Sequence, residues 1–250
     1  SVAIPPGVYD VLATVGPFST LAAARSVVVE PGTGQSVLLE IERLPLQPEG
    51  SLSADFHVHG AASFDSMQSH EDRMRAFLAS GVQVIASTDH DVVWDYAAAR
   101  EALNADERLK LLVGVEATGH VLFKWHPATT NPKVVGHWNF WPVPFDPAGP
   151  YRGAAWDELA EPGLLMTHMR DAGWDAENGV VQLNHPWGGS QFARDYAWGG
   201  AADIDLTQPM PAQDDGTTQG VWVRTPAGAD FANDAYHVEE VMNGSANAIF

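Results

Sequence analysis

The sequence predicts an α/β fold in which strands and helices alternate around a mostly parallel sheet, preceded by a small antiparallel β module. Three observations predict it. Short β-rich runs punctuated by Gly and Pro occupy the first 47 residues. From residue 51 apolar runs alternate with helical stretches. Six of those runs end in a polar residue suited to metal binding or acid–base work, as strand ends do where β/α folds gather their functional groups on one face.

In order, residues 8–15 (VYDVLATV), 21–30 (LAAARSVVVE) and 36–44 (SVLLEIERL) read as three strands of the leading module, separated by turns such as PGTG at 31–34. Three strands alone are marginal, so the module is expected to pack on its neighbour or to belong to a fuller sandwich with strands before Ser1. PLQPEGS at 45–51 reads as the linker, which divides the chain into residues 1–47 and 48–250. Helices are expected at His70–Ser80, with Gly81 as the residue just past its end, at Val92–Ala105, and at Trp156–Asp171 with an interruption at Pro162-Gly163. The loop-rich stretches 120–153 and 188–233 are long enough to form walls of a site.

Composition narrows the chemistry. The 250 residues contain no cysteine, which excludes disulfides, thiolate zinc sites and a cysteine nucleophile. A net charge of −19 without a basic patch argues against nucleic acid and anionic lipid as partners. No apolar run approaches the roughly 20 residues of a membrane-spanning helix. The acidic, cysteine-free chain with its leading β module fits an exported protein, periplasmic or extracellular, better than a cytoplasmic one.

The six runs are SLSADFHVH, GVQVIASTDH, LKLLVGVE, KVVGH, GVVQLNH and AYHVEEVMN. They end at His57 and His59, Asp89 and His90, Glu116, His137, His185, and Glu240 with Asn243. His57 and His59 are two apart on a strand and so share a face. Several buried imidazoles without partners would be costly, whereas neutral imidazole with carboxylate is a ligand set for zinc, manganese or iron. Asp89 is the candidate catalytic acid, or else orients a neighbouring imidazole. Trp125, Trp138, Trp141 and Trp187 lie close in sequence to these residues and suggest an aromatic-lined mouth. His70 and His168 on helices, and His237 at a strand start, read as packing or surface residues; His120 and His126 fall in a loop.

The motifs DFHVHG at 55–60, STDHD at 87–91, GVE at 114–116, GH at 136–137 and NHP at 184–186 resemble, in order and context, those of the PHP (polymerase and histidinol phosphatase) superfamily of metal-dependent hydrolases. The resemblance implies a distorted β/α barrel binding two or three divalent ions and cleaving phosphoesters, or in one branch other esters, with a metal-activated water. It implies His57 and His59 on the first ion, Glu116 as a bridge, His137 and His185 on another, and His90 at the third position. The stretch VEEVMNG at 238–244 and the leading β module look most like the branch of carbaryl-type carbamate ester hydrolases. Two features depart from the family: GAASFDS leaves Asp65 where a further histidine usually stands, and the Asp-x-His of the last strand is missing. The latter implies that residues 1–250 are part of a longer chain whose last barrel strand lies elsewhere. A small-molecule ester or phosphoester is the expected substrate. The alternatives are a non-catalytic module that binds metal or carbohydrate on a degenerate barrel, and an amidohydrolase barrel, for which neither Lys124 nor Lys133 is well placed as a bridging lysine.

Overall fold

A computed structural model describes residues 2–125, 132–134, 136–186 and 235–240. In chain order these form strands β1 (Gly7–Ala13), β2 (Ala22–Val29) and β3 (Ala54–Val58), helix α1 (His70–Ala79), strand β4 (Val84–Ser87), helix α2 (Ala97–Ala102), and strands β5 (Lys110–Val113), β6 (Val115–Ala117), β7 (His120–Trp125), β8 (Pro132–Val134) and β9 (His137–Trp141). A 3-10 turn (Pro150–Gly153), helix α3 (Pro162–Asp171) and strands β10 (Val180–Asn184) and β11 (Val238–Glu239) complete them. The fold is mixed α/β with several sheets, and among the described residues none of these sheets closes on itself. No described helix is long and apolar enough to cross a membrane. The chain divides into two compact units, one of Ser1–Asp55, His70–Ile85 and Ala98–Lys110, the other of Phe56–Ser69, Ala86–Ala97 and Leu111–Phe250.

In the first unit β1 and β2 form an antiparallel hairpin whose register shifts between Tyr9 and Val11. The irregularity is held by Asp10, which accepts from the Ser26 N–H at 2.9 Å and from the Arg25 guanidinium at 2.6 Å. The third expected strand, 36–44, does not form. That stretch touches the hairpin connection through one isolated antiparallel bridge, Ser19↔Arg43, and Leu38 is 89% exposed. Its strand-like composition finds no ladder to join, and pairing rather than propensity makes a strand. Helix α1 buries Met74 and ends as its sequence predicts, with Gly81 at φ 74°.

Helix α2 is much shorter than the expected Val92–Ala105. The Asp95 carboxylate accepts the Ala97 N–H at 2.8 Å, an N-terminal cap that starts the helix there. Upstream, the Val93 N–H is bound to the Tyr151 carbonyl and the Trp94 carbonyl accepts the Ser87 hydroxyl, so these residues are committed to tertiary bonds. Helix α3 likewise begins at Pro162, at the first-turn position where proline's missing N–H costs nothing, instead of running through it from Trp156.

The second unit is built on a four-stranded sheet in the order β11-β10-β9-β6. Val115, Trp138, Phe140, Val181 and Leu183 from its strands pack with Leu165, Met166 and Met169 of α3 and with Trp174 into one buried core. The expectation of a mostly parallel sheet is corrected here: β10 and β11 are parallel, but β9 runs antiparallel to both β10 and β6. KVVGH therefore does not carry His137 at the end of a strand; His137 opens β9. The antiparallel direction still delivers it to the right edge, because His137 pairs with Asn184 at the end of β10, and Trp138 pairs with Ala117 at the end of β6. Strands β3, β4 and β5 form a further sheet in that order, and β7 pairs with β8.

Gly114 separates β5 from β6, and a Cβ there would lie 2.6 Å from the Phe140 carbonyl oxygen and 3.1 Å from that of Ser87. Both neighbours are backbone and cannot swing aside. Gly114→Ala should therefore destabilise the protein by about 1–3 kcal/mol, seen as a lower urea midpoint. An unchanged midpoint would contradict this close approach.

Candidate metal centre

Strand β3 presents His57 to one side while Val58, between the two histidines, is buried on the other. Thr88, just past β4, fixes this stretch: its N–H donates to the Val58 carbonyl at 2.9 Å and its Oγ1 accepts the Val58 N–H at 2.8 Å. Glu116, on β6, is completely buried. Its backbone is held by the Asp89 carbonyl and the Asp91 N–H, at 3.1 and 2.8 Å.

The two carboxylate oxygens of Glu116 face different partners. Oε2 lies 3.0 Å from His57 Nε2, 2.7 Å from His59 Nε2 and 3.4 Å from His90 Nδ1. Oε1 lies 3.0 Å from His137 Nδ1 and 3.7 Å from His185 Nε2, and accepts the Asn184 amide at 2.9 Å. The five imidazoles form a closed ring around this carboxylate, with successive centroids His57–His59, His59–His90, His90–His137, His137–His185 and His185–His57 separated by 4.9, 4.5, 5.4, 4.7 and 5.7 Å. The structure thus brings all six sequence-predicted ligand candidates to one place.

More carboxylates stand behind the ring. Glu240 lies 3.2 Å from His57 Nδ1 and accepts the His185 N–H at 3.0 Å. Asp65 lies 3.0 Å from His59 Nδ1 and 3.5 Å from His90 Nε2, and it accepts the Ser63 hydroxyl. Asp89 is fully buried, and its two oxygens accept the Gly60 N–H at 2.7 Å and the Tyr96 hydroxyl at 2.9 Å. Three groups have ligand atoms close enough to share a cation: His57 with Glu116 and His185, His59 with Asp65 and His90, and His90 with Glu116 and His137.

Burial by itself disfavours the charged imidazolium of His57, but Glu116 and then Glu240 outweigh it and raise its pKa to about 10. His90 goes the other way, to about 4, because burial dominates and the neighbouring His59 and His137 add to it against the pull of Glu116. Burial would also raise Glu116, yet His57 and His137 hold its carboxyl well below the usual carboxylate range. The metal-free centre is therefore an anion among imidazoles that cannot all carry a proton. A divalent cation fits this donor set on two further counts. His90 Nδ1 is buried without a hydrogen bond. His57 Nε2 and His59 Nε2 are 3.0 Å apart, close to the roughly 3.3 Å between two nitrogens bound tetrahedrally to one zinc.

Other sequence readings are redistributed. Trp138 and Trp141 are buried, Trp138 in the core and Trp141 with Phe56 stacked on it, and do not line a mouth. Trp187, His126 and Asn243 lie outside the described residues, as do the side chains of His120 and Trp125. The exposed aromatic at the centre is Phe64, 80% exposed and stacked on the His90 ring at 4.6 Å, which no motif flags. His168 bonds the Trp156 carbonyl, His237 accepts the Val181 N–H, and His70 sits on α1. Sequence reasoning also missed Asn184 as a partner of Glu116, and the paired acids Asp91 and Asp157. Both acids accept the Thr118 N–H, at 2.9 Å each. Burial and the adjacent Asp157 carboxyl push Asp91 up to about 8.

No protein-family model and no curated protein matches the chain. Among solved structures it is similar to a two-domain protein from Bacteroides vulgatus described as containing a predicted PHP-like metal-dependent phosphoesterase, with 20% identity over 56% of this chain and a TM-score of 0.36. The chain spans 37% of that protein's length.

Proposed function

We propose that this protein is a metal-dependent hydrolase that cleaves a phosphoester or a carboxylic or carbamic ester. The observation that carries the proposal is the single buried carboxylate of Glu116 with a separate set of imidazoles at each oxygen, the arrangement a bridge between two cations requires. His57, His59 and His90 face one oxygen and His137 and His185 the other, and His57 with His185, or His90 with His137, can share a cation with Glu116. The His59–Asp65–His90 group offers a further position, so two or three divalent ions, zinc, manganese or iron, suit the donor set. Bound there, such ions supply an activated water and polarise the phosphoryl or carbonyl oxygen of the substrate.

The chain's own residues hold this arrangement in place. Asn184 donates to Glu116 Oε1 and limits rotation of the carboxylate. Asp89, expected as the catalytic acid, has both oxygens engaged by Gly60 and Tyr96, contacts that suit a residue fixing the turn after His59. In this reading residues 48–250 carry the hydrolase and residues 1–47 an accessory β module, the protein is exported, and the PHP likeness in the motifs extends to catalysis. None of the comparisons singles out the carbaryl-type branch, so the choice between phosphoester and other esters falls to assay.

Elemental analysis of the purified protein should find bound divalent metal, and a panel of aryl phosphates and aryl esters should reveal turnover. Metal without turnover on any substrate would favour the non-catalytic binding module. Glu116→Gln should lower turnover by more than the ~10–100-fold typical of losing an outer-shell partner, and should release metal; a variant as active as the parent would refute the bridging role. Since Glu116 and Glu240 raise the His57 pKa to about 10, a cation binding at its Nε2 near neutral pH would displace a proton. Apparent metal affinity should therefore rise about tenfold per pH unit between roughly pH 7 and 9, with proton release measurable by calorimetry in buffers of different ionisation enthalpy. A pH-independent affinity over that range would contradict a raised His57 pKa at a metal-binding nitrogen.

A further inference from the structure

The geometry points to Glu240 as a positioning residue that builds the His57–Glu116–His185 side of the centre; this inference rests on the metal-binding reading above. Strand β11 pairs in parallel with β10 at Gln182↔Val238 and Leu183↔Glu239, and the Glu240 N–H continues the ladder to the Leu183 carbonyl at 2.9 Å. That pairing sets the Glu240 carboxylate beside the end of β10. There Oε2 accepts the His185 N–H at 3.0 Å, and both oxygens lie at 3.2 and 3.3 Å from His57 Nδ1. One side chain thus ties together two ligand candidates that are far apart in sequence.

Each bond has a chemical consequence. A carboxylate at Nδ1 keeps the ring proton on that nitrogen, leaving the Nε2 lone pair as the donor atom. Nε2 is the atom of His57 that faces Glu116 and His59. His185 has φ 25°, a left-handed backbone that a non-glycine residue holds only when its surroundings fix it. The bond from its N–H to Glu240 supplies such a constraint at the residue whose ring must reach Glu116 Oε1. Across the centre, Asp65 stands behind His59 Nδ1 in the same relation. The two rings of the His-x-His pair therefore have separate carboxylates behind them, and loss of Glu240 should weaken the His57–Glu116–His185 position while sparing the His90–Glu116–His137 position.

The test is titration of zinc or manganese into the chelator-treated full chain and its Glu240→Ala, Glu240→Gln and Glu240→Asp variants, followed by calorimetry and by elemental analysis after dialysis. In Glu240→Ala one class of ion should bind about 10–100-fold more weakly, while another keeps the parent affinity. Glu240→Gln, which still accepts the His185 N–H through its amide oxygen but lacks the charge, should lose less. Nitrogen chemical shifts of the His57 ring in the zinc-loaded parent should report a proton on Nδ1 with Nε2 as the donor atom, and in Glu240→Ala loss of that single pattern. Equal weakening of every ion, or no weakening with the His57 tautomer unchanged, would overturn the inference. Absence of metal from the parent would instead defeat the metal-binding reading itself, and failure of Glu240→Ala to fold leaves the Gln and Asp variants to decide.

Discussion

Burying a carboxylate completely is among the least favourable things a fold can do, and it persists only when opposite charge or dense hydrogen bonding replaces the lost water. Glu116 meets that demand by standing inside five imidazoles and one amide, with its backbone locked between Asp89 and Asp91. Much of the second unit's local architecture serves this placement. Gly114 lets the strand pass against the Phe140 carbonyl two residues earlier, and Asn184 and His185 arrive together at the end of β10. The same demand makes a cation the natural complement, since one protonated imidazole neutralises the carboxylate but the remaining rings cannot take up protons as well without repelling it.

Topology explains how residues so far apart in sequence converge. Parallel strands bring their carboxyl ends to one edge, and an antiparallel strand reaches that edge with its beginning. β9 does the second, so the order of strand and ligand is inverted there: His137 comes first and the apolar residues Trp138, Phe140 and Trp141 follow into the interior. The carboxylates behind the rings arise from the same economy of position, Asp65 from the turn after the His-x-His pair and Glu240 from the short strand added beside β10.

What could be read from the sequence was the convergence itself. Apolar runs closing on His, Glu and Asp gave His57, His59, His90, Glu116, His137 and His185, because the alternation of a strand and the chemistry of its last residues are local properties. Gly81 as the end of α1 is local in the same sense. The direction of β9 was not legible, since KVVGH and HWNFW are equally strand-like and only pairing with Glu116 and Asn184 neighbours chooses between them. Helix α2 was overread for a related reason: Val93 and Trp94 have helical company in sequence but spend their backbone groups on Tyr151 and Ser87. The burial of Trp138, and the exposure of Phe64 against His90, depend on which face of a strand or turn meets the core, which composition does not encode.

In the proposed centre, cations sit on both sides of the Glu116 carboxylate. Anomalous diffraction from crystals soaked in zinc or manganese measures this directly. Separate metal peaks should flank Glu116, with imidazole nitrogens among His57, His59, His90, His137 and His185 about 2.0–2.2 Å from them. A centre that stays without anomalous signal, its histidines bonded only to carboxylates and water, would contradict it.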